Sequence, residues 1–221
     1  DRSMLWADRI AGDIRDTRTP KDGTTFLIRD EKTLSGRVHV GSMRGVAIHG
    51  LMAEVLSEYG VKNAFQFELN DFDPFDSIPG YLDAQIYREH LGKPLYAVSS
   101  PEAGSKNYAE YFGDEFVGVH KKAGFTPEYY RATELYRSGK MDALMKTALE
   151  RAGDIRRILK ETSGSEKDAS WLPVSVVCEH CGKMMTTRAH DYDGDTLGYT
   201  CDRSPDECVP CGHTGRVAPW K

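Results

Sequence analysis

The sequence of 221 residues lacks any apolar run close to the roughly 20 residues that a helix needs to cross a bilayer. It also lacks an excess of positive charge, because 29 Lys and Arg residues stand against 34 Asp and Glu residues, which gives a formal net charge of −5. The first absence argues against a membrane protein. The second argues against nucleic-acid binding through overall charge, although a local basic face can still hold phosphates on an acidic protein.

Cysteine is missing from the chain before Cys178, and all five cysteines lie between Cys178 and Cys211. The chain also starts without a basic segment followed by an apolar stretch, which is the pattern of a secretion signal. Clustered cysteines in a protein that is not exported indicate a metal site in a reducing compartment more than disulfides. We therefore expect a cytoplasmic protein without a membrane partner.

The composition is that of a folded protein. Apolar residues make up 39% of the chain and aromatic residues 10%, which is enough to bury a core and excludes disorder. The length fits one large domain or two small ones.

Strand patterns alternate with helix patterns in most of the chain. Apolar, β-prone runs predict strands at 24–29, 64–69 and 95–98, and a wide apolar face predicts a long helix after the loop that contains Ser35 and Gly36. Strands separated by helices indicate βαβ units and a parallel sheet, which binds ligands at the carboxyl ends of its strands. Further helical patterns lie near 81–90 and at 106–125, 128–138 and 141–161.

From about residue 171 the pattern changes to short β-like segments interleaved with Cys, Gly and Asp. These segments are 172–177, 185–190 and 196–200. The sequence thus predicts an α/β fold followed by a small β subdomain.

The loop between the first strand and its helix, residues 33–42, carries the candidate catalytic chemistry. Its small residues let backbone and substrate approach closely, and the start of the helix offers free N–H groups and a positive dipole end to a phosphate. His39 can donate to a phosphate oxygen as charge builds during displacement at an α-phosphorus, and Ser42 can cap the helix and donate to the nucleotide. An ordinary strand-to-helix loop with a surface histidine is the alternative interpretation.

Two Cys-x-x-Cys pairs occur in the last quarter of the chain, Cys178 with Cys181 and Cys208 with Cys211, and Cys201 lies between them. Tetrahedral zinc prefers four soft ligands, and paired Cys-x-x-Cys turns deliver them at short range. Spacing alone favours the four paired cysteines as ligands of a structural zinc ion. Free buried thiols are the alternative.

The segment His39-Val40-Gly41-Ser42 resembles the His-Ile-Gly-His element of class I aminoacyl-tRNA synthetases, and the surrounding chain most resembles the class I form of lysyl-tRNA synthetase. Three further segments resemble that family in the same order along the chain. They are 6–11 (Trp-Ala-Asp-Arg-Ile-Ala), 108–112 (Tyr-Ala-Glu-Tyr-Phe) and 171–174 (Trp-Leu-Pro-Val), which leads into the first cysteine pair. The resemblance covers nearly the whole chain.

The resemblance implies a Rossmann-like parallel sheet, the class I synthetase catalytic domain, with a small zinc-binding β insertion. Residues 1–170 would form a partial nucleotide-binding catalytic domain, and residues 171–221 the zinc-binding insertion with the start of the return to the catalytic domain. For the fourth zinc ligand, the family's Tyr-x-Cys and Cys-Gly-x-x-Gly segments match Cys201 and Cys211, which favours Cys201 over Cys208.

Site residues follow from the same matching. The implied ATP-binding residues are Ser35, Gly36, His39, Gly41 and Ser42, of which His39 and Ser42 would be catalytic. Thr33, Gly36 and Asp71 would bind the amino acid. A lysine ammonium is desolvated only beside a strong acceptor, and Asp71 and Asp73 are the nearby carboxylates. A helix cap or a solvated turn is the alternative role for both.

The chain departs from the family pattern in three ways. Leu34 stands where the family usually has proline, which removes a rigid turn former but no chemical group. Gly104, Ser105 and Tyr111 stand where some relatives carry Cys and His metal ligands, so we expect no metal there and expect Tyr111 to pack. A Lys-rich second catalytic loop is missing, so we expect an amino-terminal portion of a longer enzyme that is a weak catalyst, or none, by itself.

The implied activity is ATP-dependent activation of lysine to lysyl-adenylate, with Mg²⁺ accompanying ATP, and transfer of lysine to tRNA(Lys). Three alternatives stay open at this point. The chain could belong to a class I synthetase for glutamate, cysteine or arginine, to a small His-x-Gly nucleotidyltransferase, or to a non-catalytic zinc-ribbon module that binds RNA.

Overall fold

A computed structural model describes residues 5–18, 23–205 and 207–219. Its helices are α1 (Trp6–Thr17), α2 (Val40–Glu58), α3 (Ala84–Tyr87), α4 (Tyr108–Lys122), α5 (Ala132–Arg137), α6 (Asp142–Glu150) and α7 (Ala152–Ser163). Its strands are β1 (Phe26–Thr33), β2 (Asn63–Asn70), β3 (Glu128–Arg131), β4 (Thr187–His190), β5 (Leu197–Cys201) and β6 (Thr214–Val217). No helix in these described ranges is long and apolar enough to cross a membrane.

The chain divides into two compact units. The first contains Asp1–Asn70 and Glu110–Arg131, and the second contains Asp71–Ala109 and Ala132–Lys221. The boundary expected between residues 170 and 171 lies inside the second unit, and that two-domain division stays a prediction.

The first unit is built on a parallel sheet in the order β1-β2-β3. Strands β1 and β2 pair in register from Phe26 opposite Asn63 to Thr33 opposite Asn70, so both end at the same edge. One face of the sheet is apolar and packs on α1 and α2; its buried core residues are Ala7, Ala11, Ile28, Met52, Val55, Leu56 and Val61. This parallel sheet confirms the α/β part of the predicted fold class and is consistent with a Rossmann-like domain, whereas the zinc-binding insertion stays a prediction.

The prediction of a third strand at 95–98 was wrong. Residues Leu95–Ala97 form a 3-10 turn, in which Leu95 N–H donates to the Asp73 carbonyl at 2.9 Å. Leu95 and Val98 are both buried, so the apolar run reflects burial and not strand pairing. The third strand is β3, within 128–138, which was predicted to be helical; only the part from Ala132 onward is helix.

The second unit contains an antiparallel sheet in the order β4-β5-β6. The segments 185–190 and 196–200 contain the predicted strands, but 172–177 forms none, and β6 was not predicted. One buried core cluster of this unit consists of Leu149, Val176, Cys178, Leu197, Tyr199 and Cys201. The single helix predicted at 141–161 is two helices, α6 and α7, because the backbone leaves helical geometry at Arg151 with ψ of 19°.

Candidate functional site

The predicted phosphate loop joins the carboxyl end of β1 to the start of α2, all within the first unit. Leu34 is fully buried, and its N–H donates to the Asn70 carbonyl at 3.1 Å. This bond continues the β1–β2 ladder one residue past the last strand pair. A proline at this position has no N–H to donate, so Leu34 replaces a turn former with a ladder hydrogen bond.

His39 is the N-cap residue of α2, with extended backbone angles (φ −136°, ψ 167°). Ser42 N–H donates to Nδ1 of His39 at 3.3 Å, and His39 N–H donates to Ser42 Oγ at 3.0 Å. The two residues therefore satisfy each other's backbone donors, as in a capping box. The capping box therefore fixes the position of the His39 side chain and also begins the helix.

This cap also determines which nitrogen of His39 can serve a ligand. Because Nδ1 accepts from Ser42, the proton of the neutral imidazole is on Nε2, which is then a donor. The His39 side chain is exposed and does not point into the apolar interior. Gly41 makes this ring position possible, since a Cβ there would lie 2.9 Å from Cε1 of His39.

The N-terminus of α2 is open to solvent. Val40, its first residue, is 91% exposed, and Gly41 is exposed as well. The helix is 19 residues long and has no acidic residue in its first turn. Free N–H groups, a positive dipole end and no competing carboxylate in that turn suit an anion such as a phosphate.

The remaining loop residues that we predicted to line the site lie beside this helix start. Thr33 is the last residue of β1 and is half-buried, Gly36 is half-buried, and Ser35 is exposed. The sheet therefore brings Thr33, Ser35, Gly36, His39, Gly41 and Ser42 into one short connection at the carboxyl edge of β1.

Asp71 belongs to the second unit and is only 3% exposed. Its Oδ1 accepts from Thr133 N–H at 2.9 Å and its Oδ2 from Thr133 Oγ1 at 2.6 Å. Since Thr133 is the second residue of α5, Asp71 caps the start of a helix, as its alternative role predicted, but that helix is distant in sequence. These bonds also hold a buried carboxylate in one orientation, and its binding of substrate stays a prediction.

An aromatic cluster beside Asp71 was not predicted. The Phe72 ring stacks between Tyr96, at 5.4 Å between centroids, and Tyr136, at 5.3 Å. Arg137 lies over the Tyr96 ring at 4.6 Å from its centroid. The sequence signal was the aromatic residue that follows Asp71, but its two partners are too distant along the chain to be recognised from spacing.

Four of the five cysteines converge in the second unit. The sulfur atoms of Cys178, Cys181, Cys201 and Cys211 all lie within 4.8 Å of one another, with 3.6 Å from Cys178 to Cys211 and 3.8 Å from Cys181 to Cys201. Zinc–sulfur bonds of about 2.3 Å in a regular tetrahedron place the sulfurs about 3.8 Å apart. The donor set and its spacing therefore fit a tetrahedral zinc ion.

A local backbone bond shapes the turn that contains Cys178 and Cys181. Cys178 N–H donates to the Lys183 carbonyl at 2.9 Å, and the turn between them passes through Gly182 at φ of 72°.

Burial disfavours ionisation of Cys201, but hydrogen bonds from Thr186 Oγ1 and Cys211 N–H outweigh it and lower the pKa of that thiol to about 7. A lowered pKa favours the thiolate, which is the form of cysteine that binds a metal.

Cys208 is not a member of this group. It is buried, and its sulfur faces Gly92, where a Cβ would lie 3.3 Å from it. Of the two candidates for the fourth ligand, Cys201 is thus the one whose sulfur stands with the other three. At the position where some relatives carry a metal-binding histidine, Tyr111 packs edge-on against Phe112 at 4.9 Å between centroids.

A parallel sheet whose first strand continues through a loop into an open helix N-terminus is typical of the class of α/β proteins that includes Rossmann-like domains. The profile of the family described as tRNA synthetases class I (K) matches residues 4–221. The chain belongs to that family.

Curated relatives carry the name lysine–tRNA ligase. The chain is 34% identical to one from Methanosarcina barkeri strain Fusaro over 217 residues, which is 97% of this chain and 38% of the relative. It is 34% identical to lysine–tRNA ligase 1 of Methanosarcina acetivorans over 97% of this chain and 38% of the relative. For the Archaeoglobus fulgidus protein the identity is 30% over 97% of this chain and 41% of the relative. The chain thus spans about two fifths of the length of these proteins.

Proposed function

We propose that this chain is the nucleotide-binding part of an enzyme that activates lysine with ATP and transfers it to tRNA(Lys). The observation that carries the proposal is the capped, exposed start of α2, where His39 offers its Nε2 donor beside free helix N–H groups. The names of the relatives direct the choice of lysine as substrate.

In the first step, an oxygen of the lysine carboxylate attacks the α-phosphorus of ATP, and the bond to the bridging oxygen breaks to release pyrophosphate. His39 Nε2 donates to a phosphate oxygen on which negative charge increases, and the N–H groups at the start of α2 bind the same phosphates. Magnesium that accompanies ATP supplies further neutralisation of the phosphate charge. The chain contributes positioning and charge stabilisation, with no covalent intermediate on the enzyme.

In the second step, a terminal ribose hydroxyl of tRNA attacks the adenylate carbonyl, and AMP leaves. Ser35, Gly36 and Gly41 keep the nucleotide in place through backbone and hydroxyl donors close to the helix start. Ser42, whose hydroxyl donates to the His39 carbonyl at 2.7 Å, supports nucleotide binding by fixing the residue that contacts the phosphate. Thr33, at the end of β1, borders the amino-acid side of this loop.

Asp71 is the carboxylate that we propose to face the lysine ammonium. Its burial and its fixed orientation by Thr133 support this role, because an anion in a dry site attracts a cation more strongly than one in water. The aromatic rings of Phe72, Tyr96 and Tyr136 are suited to cover the aliphatic part of a lysine side chain.

We further propose that Cys178, Cys181, Cys201 and Cys211 hold a structural zinc ion, and that residues 171–221 are an insertion that this ion stabilises. Four thiolates leave no open coordination position for a substrate. A sheet of three short strands has little core of its own, so a metal would supply much of its stability. The need for reduced cysteines supports a cytoplasmic location.

The test is amino-acid-dependent exchange of pyrophosphate into ATP by the full-length protein, measured with lysine, glutamate, cysteine and arginine. Exchange that requires lysine is expected. Exchange with another amino acid instead would transfer the assignment to that synthetase. Absence of exchange with all four, together with retained RNA binding, would favour a non-catalytic module, and adenylyl transfer to another acceptor would favour a small nucleotidyltransferase.

A further inference from the structure

A residue outside the His-x-Gly motif holds the loop that carries His39. Val38 N–H donates to Oε1 of Glu115 at 2.9 Å. Val38 immediately precedes the N-cap residue, so this bond fixes the peptide that leads into the cap. Glu115 lies on α4, in the same unit as the loop and far from it in sequence.

Helix α4 is a firm support for this contact. The Phe116 ring, next to Glu115, is fully buried and lies 5.2 Å from the Phe67 ring of β2. On the same helix, a Cβ at Gly113 would lie 3.3 Å from Cδ1 of Leu34, the first residue of the loop. One helix, packed on the central strand, therefore contacts the loop near both of its ends.

We propose that Glu115 is a positioning residue for the activation step. Its carboxylate orients the Val38 peptide, and through it the direction in which His39 presents Nε2 to a phosphate. This inference rests on the proposed function. The negative charge itself would repel a triphosphate, so the useful property of the side chain is its acceptor oxygen at the right place.

The experiment uses the full-length enzyme and lysine-dependent pyrophosphate exchange at varied ATP concentration. Leaving a partly buried N–H without its acceptor changes an equilibrium by about 5- to 100-fold, so Glu115→Ala should lower kcat/KM by a factor in that range. Glu115→Gln keeps an acceptor oxygen at the same distance and should stay within about 3-fold of the wild type. Asp114→Ala removes an exposed carboxylate from the neighbouring position of α4 and should change nothing measurable.

A double-mutant cycle with His39→Ala separates positioning from a general structural role. If Glu115 acts through His39, Glu115→Ala should lower the activity of the His39→Ala enzyme by less than about 2-fold. A full additive loss in that background would overturn the proposal. If Glu115→Ala does not fold, Glu115→Asp, whose shorter side chain falls short of Val38, takes its place in the cycle.

Two failures are distinguishable in this experiment. A wild-type enzyme without lysine-dependent exchange contradicts the proposed function. An active wild-type enzyme with equally active Glu115→Ala contradicts the positioning role alone. A loss of activity in Glu115→Gln as large as that in Glu115→Ala would show that the charge is needed and that an acceptor oxygen is not sufficient, and it would contradict the positioning role as stated.

Discussion

Protonation of a buried histidine should make the first unit sensitive to acid. His120 lies on α4 and is fully buried among the rings of Phe67, Phe116 and Tyr129, at 4.9, 4.2 and 5.7 Å between centroids. Its Nδ1 is 2.7 Å from the hydroxyl of Tyr129, and its Nε2 has no hydrogen-bond partner among the described residues. Burial lowers the pKa of His120 to about 4, although the charge of Asp30 acts in the opposite direction.

The magnitude follows from proton linkage. The pKa of an unfolded histidine is near 6.5, so between pH 6.5 and 4 the unfolded chain binds a proton that the folded chain does not. The contribution of the neutral imidazole to stability is therefore complete above pH 6.5 and is lost as the pH falls toward 4. At pH 5 the loss amounts to about 2 kcal/mol, and the total to about 3 kcal/mol.

Urea unfolding of the full-length protein at several pH values between 7.5 and 4.5 measures this loss, with His120→Asn as the comparison. Asparagine can still accept from Tyr129 but does not titrate in this range, so the variant should lose about 2 kcal/mol less than the wild type between pH 7 and 5. Equal losses in the two proteins would refute the assignment of His120 as a buried neutral imidazole.

Three further outcomes are expected. His39→Asn should preserve the helix cap, and hence the stability, but lower the rate of lysine activation more than 10-fold. His39→Ala should lose this activity and also about 1 kcal/mol of stability. Equal activity of His39→Asn and the wild type would contradict the donor role. Metal analysis should find no bound zinc in Cys201→Ser and a full complement of zinc in Cys208→Ser. The reverse result would identify Cys208 as the fourth ligand. Gly41→Ala should displace the His39 ring, because its Cβ would lie 2.9 Å from Cε1 of that ring. The variant should therefore have a lower kcat, with little change in the midpoint of urea unfolding.

The position of the loop and of the start of α2 could be predicted from the sequence because that information is local. Ser42 was expected to cap the helix. The N-cap residue is His39, and Ser42, three residues later, completes the capping box with it. The fourth cysteine of the metal-binding group, Cys201 or Cys208, could not be settled by local spacing in this way. Spacing favoured Cys208 and the family resemblance favoured Cys201, and the folded positions of the sulfurs group Cys201 with the others.

The errors in the fold came from short segments whose pattern fits two structures. The run 95–98 is apolar and buried at Leu95 and Val98, but it pairs with no strand, while β3 has only four residues and continues directly into α5. Periodicity does not distinguish such cases, because pairing depends on residues distant in the chain. The contacts of Asp71 with Thr133, and of Val38 with Glu115, were beyond sequence reasoning for the same reason.

The hydrogen bond from Leu34 to Asn70 sets a boundary in backbone dynamics. An amide that is buried and bonded to a strand neighbour exchanges its hydrogen slowly, whereas the exposed amides of Val40 and Gly41, a few residues later, should exchange quickly. The loop thus begins as rigid as the sheet and becomes accessible just where a phosphate would bind. Nucleotide should slow deuterium uptake beyond this boundary and leave uptake at Leu34 unaltered.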